Sequence, residues 1–188
     1  MKKSKLTTKK IVLTGLLAAL TVVGSALRIT LPVQIAGTTS FHLGNIFCAL
    51  SGILLGPWFG GLAAGLGSAI YDMMNPIYLS ECWITFLFKG AYGLAAGLIA
   101  WGGHKEWGYV QALAATTMGA VAYAILYLAK SYFYNGLFLE GLTAEAALLT
   151  VVGKLPATAF NAVIAMVFAP VLAIAIRKGL GRAHLALE

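Results

Sequence analysis

Long apolar stretches separated by short polar or glycine-containing breaks run through the whole chain. Six of these predict membrane spans, at about 11–27, 40–55, 58–74, 82–101, 109–130 and 155–176. At about 1.5 Å of rise per residue the first of them reaches roughly 26 Å, enough to cross a bilayer core. Gly56-Pro57 places a helix stop directly before a favoured helix start, which predicts a tight turn between the second and third spans. Pro156 is read as lying in the opening turn of the sixth span. Three connections then share one end of the bundle, at 28–39, 74–81 and 131–153. The first begins Arg-Ile-Thr-Leu-Pro-Val-Gln, an alternating pattern that predicts an extended flap. The third is the longest, and 142–152 within it is apolar enough for a short interfacial helix. Long loops in compact domains are commonly binding loops or lids, so this end is where a site is expected. No internal repeat is visible, which gives no support to the inverted-repeat design of many secondary transporters.

Composition turns this pattern into a class. Of 188 residues, 60% are hydrophobic and 10% charged, against about 25% charged in an average soluble domain. The mean hydropathy is +0.88. The chain therefore reads as one all-α integral membrane domain, residues 1–188, and not as a soluble enzyme, a disordered chain or a nucleic-acid binder, despite its net charge of +7. Nine of the 13 basic residues (Lys2, Lys3, Lys5, Lys9, Lys10, Lys105, Arg177, Lys178 and Arg182) fall on the face that also holds the Gly56-Pro57 turn. The positive-inside rule then puts both termini in the cytoplasm of a cell membrane and requires an even number of spans. The first span is longer than the apolar core of a typical signal peptide, and Leu27-Arg28-Ile29 offers no small-x-small cleavage site.

The chemistry is that of a binding site, not of a reaction. There is no P-loop, no HExxH and no cysteine pair at metal-ligand spacing, so no cofactor or metal is expected. Ser68, in Gly-Leu-Gly-Ser-Ala, lacks a buried histidine partner, because His42, His104 and His184 all lie at span ends. Lys89 lies about seven residues into the fourth span, where an isolated lysine costs about 2.5–3.5 kcal/mol on insertion scales. It needs a partner or an aqueous cavity. Asp72, the single aspartate, is near the same end of the third span, and the two form either a structural ion pair or part of a ligand cavity. Lys154, Thr158 and Asn161 share one helix face, and so do Tyr123, Tyr127 and Lys130. These stripes converge on one half of the bundle, as the aromatic and polar walls of a small-molecule pocket would. Trp58, Trp101 and Trp107 read as interfacial belt residues, and Trp83 as belt or cavity. Gly15, Ala18 and Ala19 form a small-residue face on the first span, suited either to internal packing or to docking on another membrane protein.

The order of motifs is familiar. Phe-His-Leu-Gly-Asn-Ile-Phe (41–47), Gly-Ile-Leu-Leu-Gly-Pro (52–57), Gly-Ser-Ala-Ile-Tyr-Asp (67–72) and Thr-Phe-Leu-Phe-Lys-Gly (85–90) resemble the substrate-binding S components of energy-coupling factor (ECF) vitamin transporters. The resemblance implies high-affinity binding of a water-soluble vitamin or precursor from outside. It implies partners too: a transmembrane coupling protein, docked through Gly15, Ala18 and Ala19, and two cytoplasmic ATPase subunits. The flap between the first two spans would cap the pocket. The residues so offered for substrate contact are Gln34, His42, Asn45, Asp72, Tyr78, Glu81, Trp83, Lys89, Tyr127, Lys154 and Asn161. Lys, Asp, Asn and Tyr suit a small polar heteroaromatic ring. A pyridoxine- or pyrimidine-like vitamin is favoured; riboflavin fits as well, and a carboxylate such as pantothenate would use Lys89. The alternative is a stand-alone secondary transporter or facilitator, for whose ion coupling Asp72 alone is a thin basis.

Overall fold

The computed structural model describes residues 8–32, 38–102 and 107–182. In order these form α1 (Thr8–Ala26), β1 (Arg28–Pro32), β2 (Thr38–His42), α2 (Gly44–Met73), a 3-10 turn (Leu79–Glu81), α3 (Cys82–Trp101), α4 (Tyr109–Lys130), a π-helical segment (Ser131–Leu139) and α5 (Ala144–Arg182). Among the described residues, five helical stretches are long and apolar enough to cross a membrane. In lipid the backbone must satisfy itself, which is why apolar runs of this length become helices. The chain is an all-helical membrane protein with one small β-hairpin.

The second stretch is more than a single rod. Gly56 sits inside it with φ 79° and ψ −178°, followed by Pro57. Only glycine takes that φ without strain, and Pro57 brings no N–H that would need a helical partner. The chain turns back here. Cys48 Sγ lies 3.8 Å from Ser68 Oγ, whereas twenty residues of straight helix would separate them by about 30 Å. A Cβ on Gly60 would stand 2.5 Å from Gly52 Cα. Thus 44–55 and 57–73 are two antiparallel limbs pressed together through glycine.

The same device joins the limbs to α3. A Cβ on Gly93 would lie 2.6 Å from Gly60 O, and one on Gly61 would lie 2.9 Å from Gly90 O. On the other side Gly67 fits beneath the backbone of Ala18 and against Thr21 of α1. Without a hydrophobic driving force between helices in lipid, such close backbone approach supplies dispersion contact. Leu50, Ile53, Ala63, Ala96 and Ala112 fill the centre.

At one end of the bundle Trp101 donates from Nε1 to Ile53 O at 2.9 Å, and Arg177 donates to Trp107 O at 3.0 Å. This end holds the Gly56 turn. At the other end lies the β-hairpin, paired antiparallel with Arg28 opposite His42 and Ile29 opposite Phe41. This is the extended flap that the alternating sequence predicts.

Two expectations need correction. First, 131–153 is not a long loop. α4 runs on as a π-helix to Leu139, and α5 begins at Ala144. The intervening turn is set by Gly141 at φ 61°. The start of α5 packs on the π-helix: Ala147 and Thr150 are fully buried, and a Cβ on Gly136 would touch Ala147 Cβ at 2.8 Å. Second, Pro156 does not open the last helix but lies within it, as does Pro170. Neighbouring helices tolerate such prolines inside membrane segments. At 39 residues, α5 extends over about 58 Å, longer than a bilayer core.

Candidate functional site

The π-helix has a consequence for chemistry. Its wider turns bring Ser131 and Asn135 onto the face already presented by Tyr123, Tyr127 and Lys130 of α4, and π segments are often found at functional sites. These residues form one wall of a cavity of about 270 Å³ at the flap end of the bundle. The opposite walls come from both limbs of α2, from α3 and from α5, and the flap closes the remaining side.

Lys89 is at the deep end, only 4% exposed. Its Nζ donates to Asn45 Oδ1 and stands 3.7 Å from the centre of the Tyr123 ring. Tyr123 and Tyr127 stack at 5.7 Å with their planes 15° apart, one helical turn separating them in sequence. Lys154 lies 5.8 Å from the Tyr127 ring and donates to Ser131 Oγ at 3.3 Å. Towards the mouth, Glu81 accepts from Lys130 and, at 2.8 Å, from Asn135. The wall is therefore two stacked tyrosines with an ammonium at either end.

The flap is held on by Asn161. His42 N–H donates to Asn161 Oδ1 at 3.0 Å, and Asn161 Nδ2 donates to Ser40 O at 2.8 Å. One carboxamide thus pairs with β2 much as a neighbouring strand would. Phe41 packs edge-on against Phe160 at 4.7 Å. Arg28 lies over Tyr71 at 4.2 Å and Tyr78 at 4.9 Å, and its Nε donates to Ser25 O. His42 Nδ1 accepts from Gly44 N–H, which leaves the proton on Nε2. Burial, and then the charges of Lys89 and Arg28, hold His42 well below the usual imidazole range, so it faces the cavity neutral.

Exchanging Asn161 for leucine removes both flap hydrogen bonds, each worth about 0.5–1.5 kcal/mol net. The expected result is amide exchange at His42 accelerated roughly 10-fold to 100-fold while the helices stay protected, read by hydrogen–deuterium exchange. Unchanged protection at His42 would mean that Asn161 does not hold the flap.

Of the residues singled out from sequence, His42, Asn45, Asp72, Tyr78, Glu81, Lys89, Tyr127, Lys154 and Asn161 all line this one cavity. Gln34 lies outside the described residues. Trp83 does not line it and is 57% exposed. Glu81, Ile84, Thr85 and Phe88 share the cavity face of this stretch, and a helix turns by 100° per residue, so Trp83 points away. The ion pair considered for Asp72 and Lys89 does not form: Lys89 takes Asn45 instead, and the ion pair among the described residues joins Lys130 to Glu81. Ala18 is also turned inward, 7% exposed, under Gly67, and so is withdrawn from the outer face of α1. Gly15 and Ala19 remain exposed there. Cys48 and Cys82 are both free thiols. Arg28, Ser40 and Thr85 also line the cavity and were not anticipated. Their signal is tertiary, since Arg28 meets Tyr71 and Tyr78 from more than forty positions away.

A helical membrane bundle whose buried charged and carboxamide side chains, Asn45, Asp72, Lys89, Lys154 and Asn161 among the described residues, all line one flap-covered chamber is a solute-binding protein of the transport class. The chain belongs to the family described as ECF-type riboflavin transporter, S component, which it matches over residues 5–178. Such a protein is a transporter subunit. It is 30% identical over 118 residues to an "Uncharacterized protein in gap 3'region" of Pyrococcus woesei, a match spanning 63% of this chain and 74% of that one. It is 37% identical over 93 residues to a "UPF0397 protein" of Streptococcus gordonii, spanning 50% of this chain and 47% of that relative. No solved structure matches it.

Proposed function

We propose that the chamber binds a water-soluble vitamin or vitamin precursor from outside the cell, and that the chain is energised as part of an ECF-type importer by a coupling protein and two cytoplasmic ATPases. The observation that carries this reading is the 270 Å³ chamber, walled by stacked tyrosines and closed by the Asn161-held flap. Membership in the S-component family supports the rest. Counting the two limbs of α2 separately gives six spans, with both termini in the cytoplasm. Lys9, Lys10, Arg177, Lys178 and Arg182 at the Gly56 end favour that orientation. A cavity of this size is near the lower limit for ligand pockets, about 300 Å³, and favours a single heteroaromatic ring of pyridine or pyrimidine size over a larger tricycle such as riboflavin.

The test is direct. Mass spectrometry of the detergent-solubilised protein identifies a small heteroaromatic molecule, and uptake in cells requires the coupling module. Proteoliposomes holding this chain alone, if they accumulate solute, overturn the reading. Gly15 supplies a sharper version, because a Cβ there meets nothing within 4 Å. Gly15→Leu is expected to leave the thermal midpoint within about 2 °C, as surface changes do. Ligand binding stays intact and uptake drops at least 10-fold. Normal uptake by this variant rules out coupling through the exposed Gly15–Ala19 face.

A further inference from the structure

The chamber's charges do not balance. Arg28, Lys89, Lys130 and Lys154 face it, against Asp72 and Glu81. Glu81 is already engaged by Lys130 and Asn135. Asp72 is paired with neither buried lysine, since the ion pair among the described residues is the Lys130–Glu81 one. Lys89 has some compensation, in the Asn45 carbonyl oxygen and the face of Tyr123. Lys154 has less. At 6% exposed, its ammonium has a serine hydroxyl at 3.3 Å and a ring centre at 5.8 Å. An ammonium offers three donors, and a buried charge is costly unless it is paired. Ser131 is itself 1% exposed. Lys154 Nζ and Ser131 Oγ are thus a pair of donors at the end of an aromatic wall, short of an acceptor.

Resting on the binding role proposed above, we infer that the ligand is an organic oxyanion. It is a flat heteroaromatic ring bearing a carboxylate or a phosphate, with the ring against Tyr123 and Tyr127 and the negative group on Lys154 and Ser131. Lys89 and Asn45, at the far end of the wall, hold a ring heteroatom or substituent that the neutral and anionic forms of the ligand share. The arrangement divides labour along one wall: ring recognition is deep, and charge recognition is near the π-helix. A cationic ring compound is excluded by the same four positive groups.

Matched pairs that differ only in charge test this on the purified, detergent-solubilised protein: nicotinamide and nicotinate, pyridoxine and pyridoxine 5′-phosphate, riboflavin and riboflavin 5′-phosphate. By calorimetry the anionic member of at least one pair is expected to bind 10-fold or more tighter than its neutral counterpart. Which pair responds separates carboxylate from phosphate. Lys154→Met brings the two members of that pair together, whereas Lys89→Met weakens both alike. Lys154→Gln keeps a donor for Ser131 without the charge and guards against a packing artefact, and it too is expected to lose the preference. Neutral members that bind as tightly as the anions, or the failure of every anion to bind, overturn the inference. A neutral ligand bound tightly, with uptake still dependent on the coupling module, would leave the transport role standing while the charge assignment falls.

Discussion

Lys89→Met is expected to weaken ligand binding about 100-fold while leaving the protein as stable as before or more so. The two effects have separate causes. Lys89 Nζ is the cation at the deep end of the chamber, held between Asn45 Oδ1 and the Tyr123 ring. A hydrogen bond to a charged group contributes about 1.5–3 kcal/mol, which converts to between roughly 10-fold and 150-fold in affinity. Stability moves the other way. Burying a lysine within a membrane helix costs about 2.5–3.5 kcal/mol on insertion scales. Removing it leaves no partner carboxylate stranded, because Asp72 is not bonded to it. Methionine has nearly the same length and fills the same space. The loss is the Asn45 acceptor's partner, about 1 kcal/mol. Calorimetry and thermal unfolding read the two effects independently. Unchanged affinity would remove Lys89 from the ligand's contacts. An unfolded variant rescued by Asp72→Asn would show that the two charges stabilise each other through the chamber.

Gly97→Val is expected to abolish folding, with loss of monodisperse protein after extraction. A Cβ at 97 would stand 2.5 Å from Pro57 Cα and 2.6 Å from the Gly56 carbonyl carbon. Both atoms belong to the turn that reverses α2, where Gly56 sits at φ 79°. Overpacking ordinarily costs about 1–3 kcal/mol because side chains give way. Here the obstacle is backbone, so the cost exceeds that range. Gly90→Ala is the control on the same helix. Its Cβ meets Gly61 O at 3.5 Å, ordinary contact, and alanine gains about 0.5–1 kcal/mol over glycine inside a helix. Size-exclusion profiles and thermal midpoints distinguish the two. A folded Gly97→Val would mean that α3 does not pack on the turn as closely as described.

Much of this is legible in the sequence alone. Helices at 82–101 and 109–130 coincide with α3 and α4. Hydropathy suffices for such spans because lipid offers the backbone no partner but itself. Gly56-Pro57 announced the reversal of α2 through its own backbone restrictions. The polar stripes of Tyr123, Tyr127 and Lys130, and of Lys154, Thr158 and Asn161, pointed to one end, and they meet in one chamber. What was missed is instructive. Ser131, Tyr132, Tyr134 and Asn135 look like loop residues in a hydropathy scan, yet they lie on a π-helix that extends α4. Helix widening by one residue per turn leaves no compositional trace. The sequence leaves Trp83 as belt or cavity, and its phase on the helix sends it outward, 57% exposed.

The amino-acid sequence by itself determined that the chain is a helical membrane bundle, where its breaks fall except the one after α4, and that its polar groups gather at the flap end. These follow from local rules: apolar length, glycine and proline geometry, and helical spacing. The tertiary structure alone decided which polar groups meet. Lys89 takes Asn45 and not Asp72, Glu81 takes Lys130, Arg28 lies over Tyr71 and Tyr78, and Asn161 binds the flap strand instead of standing free for a ligand. The physical reason is range. Spacing along one helix places side chains on a common face, but pairing across helices depends on ångström-level approach, and in this bundle that approach is set by where glycine lets backbones touch.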